Sequence, residues 1–273
     1  MTDSDIKLNA ALVGFIDLLG FKNKLNSIKT DEDLKKVYSI IQKVHDEFDY
    51  KKDKETINGQ ALIAKTVLSL SYAIVVAIDS DSRYATVTDF LHVFVDELFF
   101  MGVAQARCVI DGIFLRGGFS VGPFFYKNDI LISQAMAKAY EIEKSKAVYP
   151  VLSFEPELYE GIRECPKNSF YSPDDDLIDI LFYEYTIPNE RDQKKYCLDY
   201  FRIALECIIE EDGDWTYFDF LKKHKEAVEL ELKKSHEPKI MEKYEWVKNY
   251  HNDSIRRLFP EQAEEMNYLI NLP

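Results

Sequence analysis

Asp17 ends the segment Ala11–Asp17 (ALVGFID), an apolar run dense in strand formers, and is followed at once by Leu18-Leu19-Gly20-Phe21. A carboxylate at the end of a buried strand, with a glycine turn feeding a helix, sets an oxygen ligand for Mg²⁺ or Mn²⁺ beside backbone N–H groups that can hold phosphates. That is a triphosphate site in outline. Asp17 as a cap of the following turn is the plainer alternative. Arg116 precedes Gly117-Gly118 and either reaches phosphates or fixes a strand end through a salt bridge. Lys65 is a base or phosphate contact on a strand, or an ordinary exposed lysine. The glycine pair suits close backbone packing better than ligand contact. His224 and His251, with Trp246 and Tyr250 near in sequence, suit packing and hydrogen bonding rather than catalysis.

The elements around these residues follow from periodicity. Thr30 and Asp31 are good N-cap types, and Leu34, Val37, Ile41, Val44 and Phe48 then recur on one helical face. Asp49 to Gly59 is polar and reads as a surface loop. Ala61 to Ile78 is too long for one strand and is expected to turn near Ser71-Tyr72. Arg83 to Arg107 suits a second helix. Cys108 to Val121 reads as a strand interrupted at the glycines, Phe124 to Ile132 as a hairpin about Asn128-Asp129, Gln134 to Ala147 as a helix and Pro150 to Phe154 as a strand. The expected fold class is α+β: a mixed sheet with its helices on one face. Beyond about residue 165 the pattern changes. An acidic stretch over Ser172 to Asp179 is expected to be a loop, and from Gln193 onward two long antiparallel helices broken near Pro238 are expected. The expected division is a core over 1–165 and a helical extension over 166–273 packed on it.

A chain of 273 residues with 47% hydrophobic residues can bury a sizeable core. Its formal charge of -14 argues against binding a nucleic-acid polymer, whereas one nucleoside triphosphate with a divalent ion is compatible with it. The N-terminus lacks the pattern of a secretory signal and no apolar run approaches a membrane span, so a cytoplasmic location without membrane insertion is expected. Cys108, Cys165, Cys197 and Cys207 are scattered, without a CxxC pair, and read as reduced, mostly buried thiols.

Several segments taken in order resemble the class III nucleotide cyclases, and most closely the pyrimidine (uridylate or cytidylate) cyclases of bacterial Pycsar antiphage defence. The resemblance rests on FIDLLGF at 15–21, LSYAIVV at 70–76, LRGGFSVG at 115–122, QAMAKAYEIEKSKAVYPVLSF at 134–154, FLKKHKEAVELEL at 220–232 and KYEWVKNYHN at 243–252. It implies a ferredoxin-like core that pairs as a head-to-tail homodimer with active sites across the interface. It also implies two aspartates holding two Mn²⁺ or Mg²⁺ ions, so that the ribose 3'-oxygen attacks the α-phosphorus and pyrophosphate leaves. Asp17 matches the first aspartate, the Leu18 carbonyl the backbone ligand beside it, and Gly20 and Phe21 the turn that holds the phosphates. Arg116 and Lys65 are the further nucleotide-binding candidates. The implied reaction is conversion of UTP or CTP to a 3',5'-cyclic nucleotide. The chain departs from the pattern at Tyr72, which stands where the second metal-binding Asp falls, and at Ala137, where many class III cyclases place Asn. Glu141 replaces the Arg found in many of them but agrees with the pyrimidine group. Asp79 and Asp81 lie roughly 20 Å further along an extended strand than position 72. The alternative is a catalytically degenerate cyclase fold serving as a nucleotide sensor or a regulatory dimerisation partner.

Overall fold

Alternate residues of the first strand, β1 (Asn9–Leu18), feed two different clusters: Leu12, Ile16 and Leu18 one, Ala11, Val13 and Phe15 the other. A period of two with both sides apolar makes a central strand buried on both faces. The computed structural model describes residues 8–49, 56–57, 60–61, 63–70, 73–80, 87–164, 175–187, 190, 193–210 and 216–272. After β1 come α1 (Phe21–Asn26) and α2 (Asp31–Phe48), the latter begun by a capping box in which Thr30 and Asp33 satisfy each other's backbone N–H groups. The short pair β2 (Thr56–Ile57) and β3 (Gln60–Ala61) precedes β4 (Ile63–Leu70), β5 (Ala73–Ser80) and the long α3 (Val87–Ile110). Next come β6 (Leu115–Lys127), β7 (Ile130–Ser133), α4 (Gln134–Ser145), β8 (Leu152–Phe154), α5 (Pro156–Arg163), α6 (Asp175–Leu181), β9 (Phe182–Tyr185) and β10 (Lys195–Leu198). The chain ends in α7 (Tyr200–Glu210), α8 (Tyr217–Leu232) and α9 (Pro238–Leu258).

The main sheet runs β4-β5-β1-β6-β8-β10-β9, with β7 added to β6. Its first four strands have the order of a ferredoxin-like βαββαβ unit. The pairs β4–β5, β5–β1 and β1–β6 are antiparallel, and β6–β8 is parallel, which makes the sheet mixed as expected. Helices α2 and α3 share one face, packing Val37, Val44, Phe94 and Leu98 onto Leu12, Ile16, Ile74 and Val76. The expected single helical layer is thus present, but α4 is not in it. It crosses the other face, with Ala135 and Ala139 against Val13 and Phe15.

The β6–β7 hairpin turns on Asn128 and Asp129, at φ 49° and 64°, the left-handed pair that a two-residue turn demands and that Asn and Asp tolerate. Three other segments differ from expectation. Cys108 to Ile110 complete α3, and the strand starts at Leu115 and runs unbroken through both glycines. The acidic stretch becomes helix α6 from Asp175; residues 172–174 lie outside the described ones. Residues 195–198 form β10 rather than helix. Runs of three or four residues such as 108–110 and 195–198 are too short to show a period that separates helix from strand. Because β10 pairs with β8, residues beyond 165 complete the sheet begun by the earlier ones.

Helices α8 and α9 pack antiparallel, His224 against His251 and Glu231 beside Tyr244. With α7 they build a second core on Ala106, Val109 and Phe114. No helix among the described residues is long and apolar enough to cross a membrane.

Candidate functional site

Asp17 pairs with Ala73 on β5 and with Arg116 on β6, and its side chain lies on the α4 face of the sheet with those of Phe15 and Val13. Arg116 Nε and Nη2 each lie 2.9 Å from Asp17 Oδ2. A third charged group comes from α4, where Glu143 Oε1 stands 2.6 Å from Arg116 Nη2. That contact is close but lacks hydrogen-bond alignment, so Oε1 is a buried oxygen without an aligned donor. Gly118 makes the approach possible, because a Cβ there would stand 2.3 Å from the Ala139 carbonyl oxygen and 2.8 Å from the Glu143 nitrogen. The glycine pair therefore packs backbone against backbone, and its consequence is a carboxylate beside Arg116.

A fourth charge arrives from the far end of the chain. Lys243 on α9 acts electrostatically on Asp17, Glu143 and Arg116. Burial raises the affinity of both carboxyls for protons, against the pull of Arg116. Burial and the Arg116 charge lower that of the Lys243 amine, with Asp17 and Glu143 opposing. Two anions and two cations thus share one half-buried cluster.

The other expected residues are distributed as follows. Gly20 has φ 73° and caps α1 without a side-chain bond, the left-handed turn its residue type allows. The Phe21 ring is 1% exposed in the main core, so only its backbone is available to a ligand. Leu18 ends the β1–β6 ladder opposite Leu115. Lys65 is not brought to Asp17: it pairs with Ile78, whose side chain faces α2 and α3, and its Nζ is 3.1 Å from Glu97 Oε2 on α3. Ala137 and Glu141 are exposed on α4. Asp79 is in register with Ala11, six positions from Asp17 along β1, which is about 20 Å of extended chain. Tyr72 and Asp81 lie outside the described residues.

Sequence reasoning passed over Glu143 and Lys243, although both stand inside segments that carry the family resemblance. Burial was the missing signal: Glu141 and Glu143 are equivalent in sequence, and only the packing of α4 turns Glu143 inward.

Two divalent ions need several oxygen ligands converging on one place. Among the described residues no group of three His, Cys, Asp or Glu side chains does so. Asp17 Oδ2 is already bonded to Arg116, and the resident charges cancel. The described donor set does not fit a two-ion site.

No family model matches the chain, and no curated protein matches it. Among solved structures it is similar to a bacterial light-regulated adenylyl cyclase, with 10% identity and a TM-score of 0.39 over 71% of this chain and 92% of that one. It is also similar to the catalytic core of a rhodopsin-guanylyl cyclase with converted specificity in complex with ATPalphaS, with 12% identity and a TM-score of 0.41 over 70% of this chain and 95% of that one. Overlaps this partial establish no family for the chain.

Proposed function

We propose that the chain is a nucleotidyl cyclase of the class III type, which takes a pyrimidine nucleoside triphosphate, UTP or CTP, and releases a 3',5'-cyclic nucleotide and pyrophosphate in antiphage signalling. The observation that carries this reading is the place of Asp17. It is the next-to-last residue of the central strand of a ferredoxin-like unit, on the face away from α2 and α3, one short turn before Gly20 at φ 73°. The ordered motifs of the sequence supply the substrate class and a homodimer with sites across its interface. The test is incubation of the full chain with each of the four labelled triphosphates and Mn²⁺. A cyclic product from UTP or CTP that Asp17→Ala abolishes is expected. No product from any triphosphate rejects it.

A second reading is favoured by the cluster itself. Arg116 holds both Asp17 and Glu143, and Tyr72 stands where the resemblance calls for another aspartate. A phenol is a poor ligand for a hard cation at neutral pH. On this reading the fold binds a nucleotide or a related subunit without turnover. Saturable triphosphate binding with no product, and turnover gained on Tyr72→Asp, would support it.

A further inference from the structure

Helix α9 is fixed immediately after Lys243. Tyr244 packs edge-on against Phe114, ring centroids 5.2 Å apart, two residues before Arg116. Trp246 stacks on Tyr149 at 4.9 Å, in the segment that follows α4 and its Glu143. These contacts seat α9 beside the strand and helix that carry Arg116 and Glu143, and Asp17 and Glu143 both feel the Lys243 charge, yet no hydrogen bond or ion pair joins its ammonium to a described residue. Both carboxylates are instead taken by Arg116, at 2.9 and 2.6 Å. A lysine ammonium carries three donors and no acceptor, so this one is a half-buried cation with donors to spare.

We propose that Lys243 binds phosphate oxygens of the nucleoside triphosphate, so that the C-terminal helix completes the site begun by β1, β6 and α4. The inference rests on the reading that a triphosphate occupies the Asp17 face. The chain carries a formal charge of -14 and a described donor set that does not fit two metal ions, so a triphosphate there needs cations from the protein. Among the described residues, Lys243 and Arg116 are the cations that act on both Asp17 and Glu143. The same arrangement makes binding less dependent on a divalent ion than a two-metal site would be.

The experiment is calorimetric titration of the full chain with UTP, CTP, ATP and GTP, with Mn²⁺ and with EDTA. It is repeated for Lys243→Met and Lys243→Arg, and with the matching nucleosides. Wild type is expected to retain measurable triphosphate affinity in EDTA. Lys243→Met should weaken it tenfold or more, the scale of one charge-assisted hydrogen bond, with nucleoside binding and thermal unfolding unchanged. Lys243→Arg should restore most of the loss. Equal affinity in wild type and Lys243→Met overturns the role of Lys243 while leaving the nucleotide reading in place. Failure of wild type to bind any triphosphate, with or without Mn²⁺, rejects both. Loss on Lys243→Met that arginine does not rescue, or that accompanies unfolding, marks a structural lysine and rejects the inference alone.

Discussion

Arg116 and Asp17 face each other as register partners across the antiparallel β1–β6 pair, with the guanidinium Nε 2.9 Å from Asp17 Oδ2. The ladder itself delivers the pair, since residues opposite each other on adjacent strands share a face. Glu143 then completes a triad in which one guanidinium holds two buried carboxylates.

Removing that guanidinium leaves two carboxylates to repel each other where water is scarce. Arg116→Met is expected to lower stability by about 3 kcal/mol at neutral pH, the scale of breaking a buried ion pair. Arg116→Lys should recover part of it. Urea unfolding at pH 7 measures both. The Met variant should regain stability as pH falls and the carboxyls protonate; an unchanged midpoint at pH 7 would show that the triad is not a structural unit.

Gly118 is the contact point of α4 with the sheet. Gly118→Val would drive a side chain into the Ala139 carbonyl and the Glu143 backbone, at distances no Cβ can occupy. Displacing α4 costs about 3 kcal/mol or more on the scale of overpacked cores. Thermal unfolding should fall by several degrees or more, and any triphosphate affinity should fall with it, whereas Gly161→Ala, with open space around its Cβ, should do neither.

A directional chain of hydrogen bonds runs through the C-terminal core. His251 Nε2–H donates to the Tyr268 carbonyl at 2.9 Å, which leaves its Nδ1 to accept from His224 Nδ1–H at 2.9 Å. His224 Nε2 accepts in turn from the Tyr200 hydroxyl at 2.9 Å. Both rings are neutral because burial pushes their proton affinity down, His251 to about 4 and His224 well below the usual histidine value. At pH values between about 4 and the ordinary 6.5 the unfolded chain binds more protons than the folded one, so stability falls as pH falls. For His251 the loss approaches about 3 kcal/mol at the bottom of that window. Urea midpoints should drop between pH 7 and pH 4.5, and His251→Asn should flatten the slope.

Trp246 stacks on both Tyr149 and Tyr250, linking the segment after α4 to the C-terminal core. Trp246→Ala is expected to cost about 3–5 kcal/mol, as for large-to-small core changes, and to loosen α9 from the sheet. Amide exchange should then quicken along α9 before it does along β1. Equal protection of both would mean that the tail is not anchored here.

Much of this fold was legible in the residues alone. Periodicity located β1, α2 with its Thr30 cap, the β4–β5 hairpin, the Asn128-Asp129 turn and the α8–α9 pair, because each has a local signal in spacing or turn chemistry. Asp17 and Arg116 both stand out by residue type and position, although not as partners. Register is a property of two strands 99 residues apart, and neither strand encodes it by itself.

The sequence determined by itself the strand–turn–helix around Asp17, the order of strands and helices through the α+β layer and the acidic overall charge. These depend on short-range sterics, side-chain period and composition. Tertiary structure alone decided that Lys65 points to α3, that α4 crosses the opposite face, and that Glu143 and Lys243 join Asp17 and Arg116. Those outcomes depend on which buried surfaces meet, and residues from β1, β6, α4 and α9 become neighbours only after the sheet has closed against both of its coverings.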